Sequence, residues 1–386
     1  MNHSHLNKYV TLCIIQNMEE SKDNKLKDYL RLFRFRIAYI AVSLVIYIFF
    51  LVAKKSKGLD NFITDRISYP IRSFLARICS IFRYSVAEWF LILLALSVVV
   101  FFVFLVVSLI KRKQPIIKIL FRYFTLLLVV TITIVNSVEL LLNIPYYSDG
   151  FTIKSGLIVK DSSVRELYTT TVLFAEKLST VSPSIKRDSY GIYDEDIEET
   201  FSDSLVIYRN IEKEFPFLKG TELRAKKVRF SKALSLVETT GVAFPLTGEA
   251  NINIDQPACD IPSTIAHEIA HQRGISSEKE ANFVAILACD LSDNNAYRYS
   301  GYLMAYTYLG NALIKENREL YRSIYETLPK EVKKDLEYCY DYWEKYDTKV
   351  SDVSDNLYDS FLKSQGQDLG IKSYGAVVDL LIAYYN

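Results

Sequence analysis

Three uncharged apolar runs dominate the first third of the chain. Ile37 to Ala53 (IAYIAVSLVIYIFFLVA) is bounded by Arg36 and by Lys54 and Lys55, and Trp89 to Ile110 is closed by Lys111, Arg112 and Lys113. Tyr123 to Leu142 carries no charge until Glu139. Roughly 17 to 25 apolar residues are what a helix needs to cross the hydrocarbon core, so the pattern predicts transmembrane helices over 37–53, 89–110 and 123–142. Buried core helices are the alternative, but basic residues at the run ends favour the bilayer. The first run lacks a short preceding basic region and a small-residue cleavage site, so it is expected to stay as an anchor. Glu139 is expected at the membrane interface.

Beyond the third run the periodicity becomes that of a globular domain. Residues 1–35 form a polar lead, 36–145 a membrane region, IPYYSDG (Ile144 to Gly150) a linker, and 151–386 a domain. Ser163 and Glu166 make a capping box ahead of the helical VRELYTTTVLFAEKLSTV, and a further helix is expected over Ile197 to Glu214. VRFSKALSLVETT looks helical, whereas Gly241 to Pro257 (GVAFPLTGEANINIDQP) alternates and is punctuated by Gly and Pro, which predicts a hairpin. After Pro262 helices are expected over 311–327, 330–346, 352–363 and 371–385. The fold class is therefore mainly α: three N-terminal transmembrane helices, then a mostly helical domain with a small β element.

Charge adds orientation. Lys22, Lys25, Lys27, Arg31, Arg34 and Arg36 precede the first crossing, and Lys111, Arg112, Lys113 and Lys118 lie between the second and third. These two segments share a side, which the positive-inside tendency makes cytoplasmic. Three crossings then put the domain outside the cytoplasm. The loop between the first two crossings is also basic, with Lys54, Lys55, Lys57, Arg66, Arg72, Arg77 and Arg83, so the bias is modest. The net charge of +1 argues against a nucleic-acid partner. Five cysteines show no paired spacing, and the three in the domain, Cys259, Cys289 and Cys339, leave at least one thiol unpaired, which weighs slightly against an extracytoplasmic side.

The chemistry is concentrated in HEIAHQRGISSEKEANF, His267 to Phe283. Pro262, Ser263 and Thr264 favour a helix start and Gly274 a stop. His267 and His271, four apart, project from one helical face and can hold one metal ion. Glu268 stands where its carboxylate can take a proton from a metal-activated water, which is what peptide hydrolysis requires. The other two histidines, His3 and His5, lie in the polar lead. A surface helix with two solvated histidines is one alternative. A closed structural zinc site completed by Cys259 and Cys289 is another, although their spacing fits no finger pattern and Glu268 would then have no role. A third ligand is expected in SSEKEAN. Glu280 sits three residues after Ser277, as in a capping box, which leaves Glu278 as the favoured ligand and Glu280 as runner-up, with Asn282 one turn on to orient it.

HEIAHQRG and EKEANF, preceded by FPLTGEANIN and followed by YSGYL (Tyr299 to Leu303), together resemble the bacterial membrane family known as domain of unknown function 3810. The resemblance covers most of the chain and implies a membrane-anchored, zincin-like peptidase. More coarsely the motif resembles gluzincins, whose two histidines and downstream glutamate hold Zn2+, the glutamate followed four positions later by Asp or Asn. In zincin folds a strand ahead of the active helix can pair with an extended peptide, and GEANINID, with Glu249, Asn251 and Asn253, is placed for that in sequence. Tyr299 and Tyr302 are candidate donors to a developing oxyanion. The expected partners are the lipid bilayer and a peptide or protein substrate near it. A non-catalytic sensor or assembly protein with a structural or vestigial metal site is the alternative.

Overall fold

The computed structural model describes residues 31–367 and 376–386. The polar lead up to residue 30, and the first residues of the helix expected over 371–385, lie outside the described residues.

Among the described residues three helices are long and apolar enough to cross a membrane, α1 (Arg31–Ala53), α3 (Val86–Lys111) and the span Ile116–Tyr147. Each outruns its apolar core because flanking Arg, Lys and Glu are good helix formers whose long side chains can reach towards water. The third span is α-helical as α4 (Ile116–Val138), then loosens to a π turn over Glu139–Asn143 and tightens to a 3₁₀ turn over Ile144–Tyr147. Glu139 stands at the first change and is buried.

The chain divides into two compact units, 1–52 with 93–139 and 53–92 with 140–386. In the first unit Asn136 Nδ2 of α4 donates to the Ser43 carbonyl of α1 at 3.0 Å, the kind of bond that links helices where water is scarce. The second unit gathers the segment between the first two crossings into the C-terminal domain. Its α2 (Tyr69–Cys79) belongs to that domain, although hydropathy alone assigns it to the membrane region. Nor is 144–150 a free linker. Ile144 is fully buried, and Asp149 is bound to Asn61 through its amide at 2.8 Å and its carboxylate at 2.7 Å.

The domain is mostly helical, as expected. The capping box of Ser163 and Glu166 starts α5 (Val164–Val181), and four helices follow the motif region in close order: α6 (Ile261–Gln272), α7 (Glu278–Asp290), α8 (Asn295–Glu316) and α9 (Arg318–Thr327). Then come α10 (Lys330–Glu344), α11 (Lys349–Ser364) and α12 (Val377–Tyr385). Phe174 and Leu178 of α5, Phe283 and Ile286 of α7, and Tyr297, Tyr306 and Leu309 of α8 share one buried core. Burying an aromatic or aliphatic side chain of this size contributes about 1.5–3 kcal/mol each.

Three expected helices are broken. The stretch 197–214 contains Ile197–Asp203 and Ile211–Glu214, because Ser204 Oγ donates to the Phe201 carbonyl at 2.6 Å and accepts from Ala225 N at 3.1 Å, drawing the chain out of the helix. VRFSKALSLVETT is helical only over Ser231–Ser235, since Val228 N joins the sheet at Ile252 O, 3.0 Å. At Asn317 the side chain accepts from Glu319 N and Leu320 N, both 3.1 Å, ending α8 and starting α9.

The expected hairpin is present as β2 (Gly241–Phe244) and β3 (Glu249–Ile252), paired antiparallel with Val242 opposite Asn251. β1 (Lys226–Lys227) joins parallel on the far side, so β3 is central and β2 is an edge.

Candidate metal centre

The motif helix α6 begins with Pro262 in its first turn and ends in a Schellman motif at Gly274. Gly274 takes φ +98°, Ile275 N bonds Ala270 O at 3.0 Å and Gly274 N bonds His271 O at 3.2 Å, which is the 6→1 and 5→2 pairing that closes a helix through a left-handed residue. Two residues of α2 brace this end: the Tyr69 hydroxyl donates to Gly274 O and Arg72 Nη2 donates to His271 O at 3.0 Å. The turn is short enough for α7 to start at Glu278 and fold back onto α6.

This return brings three donor groups together. His267 Nε2 and His271 Nε2 are 3.1 Å apart, His267 Nε2 and Glu278 Oε2 3.3 Å, and His271 Nε2 and Glu278 Oε1 3.6 Å. Ligands about 2.0–2.1 Å from a tetrahedral zinc are separated by about 3.3 Å, so the three groups stand close to the spacing of one shared ion, with each imidazole nearest a different oxygen of Glu278. His271 Nδ1 donates to Ile275 O at 2.7 Å, which fixes the ring with Nε2 turned towards the site. His267 Nδ1 is buried with no hydrogen-bond partner among the described residues.

The electrostatics show what the site favours. Burial alone lowers His271, but the carboxylates of Glu278 and Glu268 outweigh it and push the imidazole up to about 9. Burial raises Glu278, yet His271 and His267 hold it well below the usual carboxylate range. A raised imidazole beside a depressed carboxyl marks a point in the fold that favours positive charge. Glu268 is buried and its carboxyl is raised by that burial. It lies against β2, where a Cβ on Gly241 would be 2.7 Å from Glu268 Oε1, and it accepts from the Ala243 amide.

Several expected roles are redistributed. Glu280 forms no capping box with Ser277, whose side chain makes no cap bond. Its carboxylate instead accepts Phe151 N and Thr152 N at 2.9 Å and the Thr152 hydroxyl at 2.5 Å, capping the short helix Phe151–Ser155. Asn282 does not orient Glu278. Its amide donates to the Tyr308 hydroxyl at 3.2 Å, and Glu278 is held by Tyr358, whose hydroxyl donates to Oε1 at 2.7 Å.

Tyr299 and Tyr302 are structural. Tyr299 donates to Asp335, which also pairs with Arg187 at 2.9 Å, and Tyr302 donates to Asp290 at 2.7 Å. Both hydroxyls are committed to core carboxylates, so neither is free to meet an oxyanion. Glu249, Asn251 and Asn253 do not offer a substrate edge: β3 lies between β1 and β2, with Asn251 paired on both sides, and all three residues are buried. Glu249 accepts Val86 N and Ala87 N, Asn251 Nδ2 donates to Val242 O, and Asn253 Nδ2 to Ser235 Oγ and Thr239 O. The edge strand is β2, whose Ala243 amide is held by Glu268.

A closed site of the two histidines with Cys259 and Cys289 is also excluded by position. Cys259 Sγ lies 3.3 Å from Cys339 Sγ and clusters with Asp260, while Cys289 is buried against Gly301.

Sequence reasoning missed Tyr358, Tyr146, Arg72 and Ala243. Tyr146 hydrogen-bonds Tyr358 and lies near Glu278 and Glu268. With 28 tyrosines in the chain, no spacing singled these two out. Ala243 was discoverable from the hairpin only by deciding which strand is the edge.

No curated protein and no solved structure matches the chain. The family described as "Protein of unknown function (DUF3810)" matches residues 64–382, from the segment before α2 to the last helix. A match over that share of the chain places this protein in the DUF3810 family.

Proposed function

We propose that the protein is a membrane-anchored zinc metallopeptidase. His267, His271 and Glu278 hold the ion, and Glu268 is the general base. The observation that carries this reading is the spacing of the three donor groups, 3.1 to 3.6 Å, beside a buried glutamate of α6 that lies against an edge strand. A zinc ion held in this way would supply Lewis acidity towards a carbonyl oxygen and acidify a water molecule. Glu268 takes the proton from the attacking water and delivers it to the leaving amine. The outward-facing backbone of β2 aligns an extended substrate by strand addition, which puts its scissile bond beside Glu268.

The donor set also argues against a purely structural site. Such zinc sites are closed by four protein ligands, whereas the cluster among the described residues has three. Segments 53–92 and 140–386 fold as one unit, so both must lie on one side of the bilayer. Three crossings satisfy that, and the basic ends before α1 and between α3 and α4 favour the extracytoplasmic side for it. Arg72 and Arg77 of the intervening segment are engaged by the domain, at His271 O and Thr221 Oγ1, and so weigh less as orientation signals.

The test is digestion of a peptide library by detergent-purified, full-length protein. Cleavage is expected, abolished by a chelator and restored by zinc. Absence of cleavage by the zinc-loaded protein would overturn the assignment.

A further inference from the structure

The sheet whose edge strand lies beside Glu268 is fastened to the start of a membrane-spanning helix. Glu249, the first residue of β3, accepts the two leading amides of α3, Val86 N at 3.2 Å and Ala87 N at 2.9 Å. In return Glu88, in the first turn of α3, accepts Arg229 N and Phe230 N, both at 2.9 Å, just beyond β1. Carboxylates at a helix N-terminus are favoured by its unpaired amides and dipole, so the two caps clamp the sheet to α3 from both sides. β2 ends in the same place, with the Phe244 ring 5.9 Å from that of Phe90 in α3.

These residues also mark the water–lipid boundary. Tyr84 and Trp89 are exposed at the beginning of an uncharged apolar helix, where amphipathic aromatic rings settle at headgroup level. Ile81 and Phe230 are 78% and 58% exposed beside them, a cost in water that the interface removes. From Gly241, against Glu268, to Phe244, against α3, is three strand steps, about 10 Å at about 3.3 Å per residue. A peptide paired with β2 therefore reaches the bilayer surface within a few residues of its scissile bond.

We infer that the substrate is a polypeptide anchored in the same bilayer and cut in the extended segment next to its membrane span. This rests on the peptidase reading and names its substrate class. Proteins free in solution are the competing class.

The test uses full-length, zinc-loaded protein in lipid vesicles with a single-span substrate. On the domain's side that substrate carries three copies of one segment known to be cut in the library digestion. Proline-rich spacers, extended at about 3.1 Å per residue, hold the copies at increasing height. Mass spectrometry locates the cuts. Cutting is expected in the copy nearest the bilayer, roughly tenfold over the others. Equal cutting of all copies, preference for an outer copy, or cutting of the free segment alone would overturn the inference while leaving the peptidase standing. If neither the free segment nor any copy is cut, the peptidase reading fails and the inference with it.

Discussion

Glu278 and Glu280, separated by one residue, face different parts of the domain. Glu278 looks back at two imidazoles, and Glu280 looks across to the start of the helix Phe151–Ser155. Glu278→Ala should therefore lose most of its zinc affinity in a calorimetric titration. Glu280→Ala should bind zinc normally but unfold earlier, by about 1–3 kcal/mol, because two amides lose their acceptor. Removing the general base is a separate matter. Glu268→Gln should keep the metal and lose about 10²- to 10⁴-fold in hydrolysis rate; full activity in that variant would remove Glu268 from the mechanism. Single residues were only partly legible from sequence. Two histidines four apart with a glutamate beside the first define a candidate metal-binding face by spacing, so His267, Glu268 and His271 could be named, whereas Glu278 was preferred to Glu280 through a capping box with Ser277 that does not form. Hydroxyl partners could not, because the ring of Tyr299 or Tyr358 reaches a neighbour set by tertiary packing.

The elements show the same division. Helix ends declared by local chemistry, such as Ser163 with Glu166 or Gly274, appear where sequence puts them. Breaks imposed from outside, such as Ser204 bonding to Ala225, have no local signature. The hairpin was legible, but the edge was not, since β1 is two residues long and joins from a distance. Two predictions belong here. Gly274→Ala places a Cβ 2.5 Å from the Tyr69 ring at a φ of +98°, so the α6–α7 turn should open, lowering both the thermal midpoint and zinc affinity. Ala243→Pro removes the edge amide that faces Glu268 without removing a bond to β3, because the Ala243 N–H points away from the partner strand. Zinc content and thermal midpoint should hold while hydrolysis falls. Unchanged hydrolysis in that variant would show that the Ala243 amide does not position Glu268.

At the scale of the molecule, hydropathy located the three spans but not the folding of 53–92 into the domain. That depends on contacts such as Tyr69 with Gly274, more than 200 residues apart in sequence. A phosphatase fused after Asn386 should be active if the domain is extracytoplasmic, and an active cytoplasmic reporter there would reverse the topology. Three helices of the domain converge on Asp290 of α7, which receives Lys177 of α5 at 2.6 Å and Tyr302 of α8 and Tyr385 of α12 at 2.7 Å. Burial raises this carboxyl, but those three donors outweigh it and hold it below the ordinary 3.8. A depressed carboxyl stabilises the fold above its unfolded value, and that contribution disappears as pH falls through the folded value. Asp290→Asn should therefore unfold earlier than the native protein at pH 7, with the difference shrinking as the pH is taken below about 4.

Metal stoichiometry tests the central claim most directly, measured by elemental analysis of the purified full-length protein and four variants. The account predicts one zinc per chain in the native protein and in Glu268→Gln, and none in His267→Ala, His271→Ala or Glu278→Ala. A native protein that binds no zinc when it is supplied, or a histidine variant that keeps it, would contradict the assignment of this cluster as the metal centre.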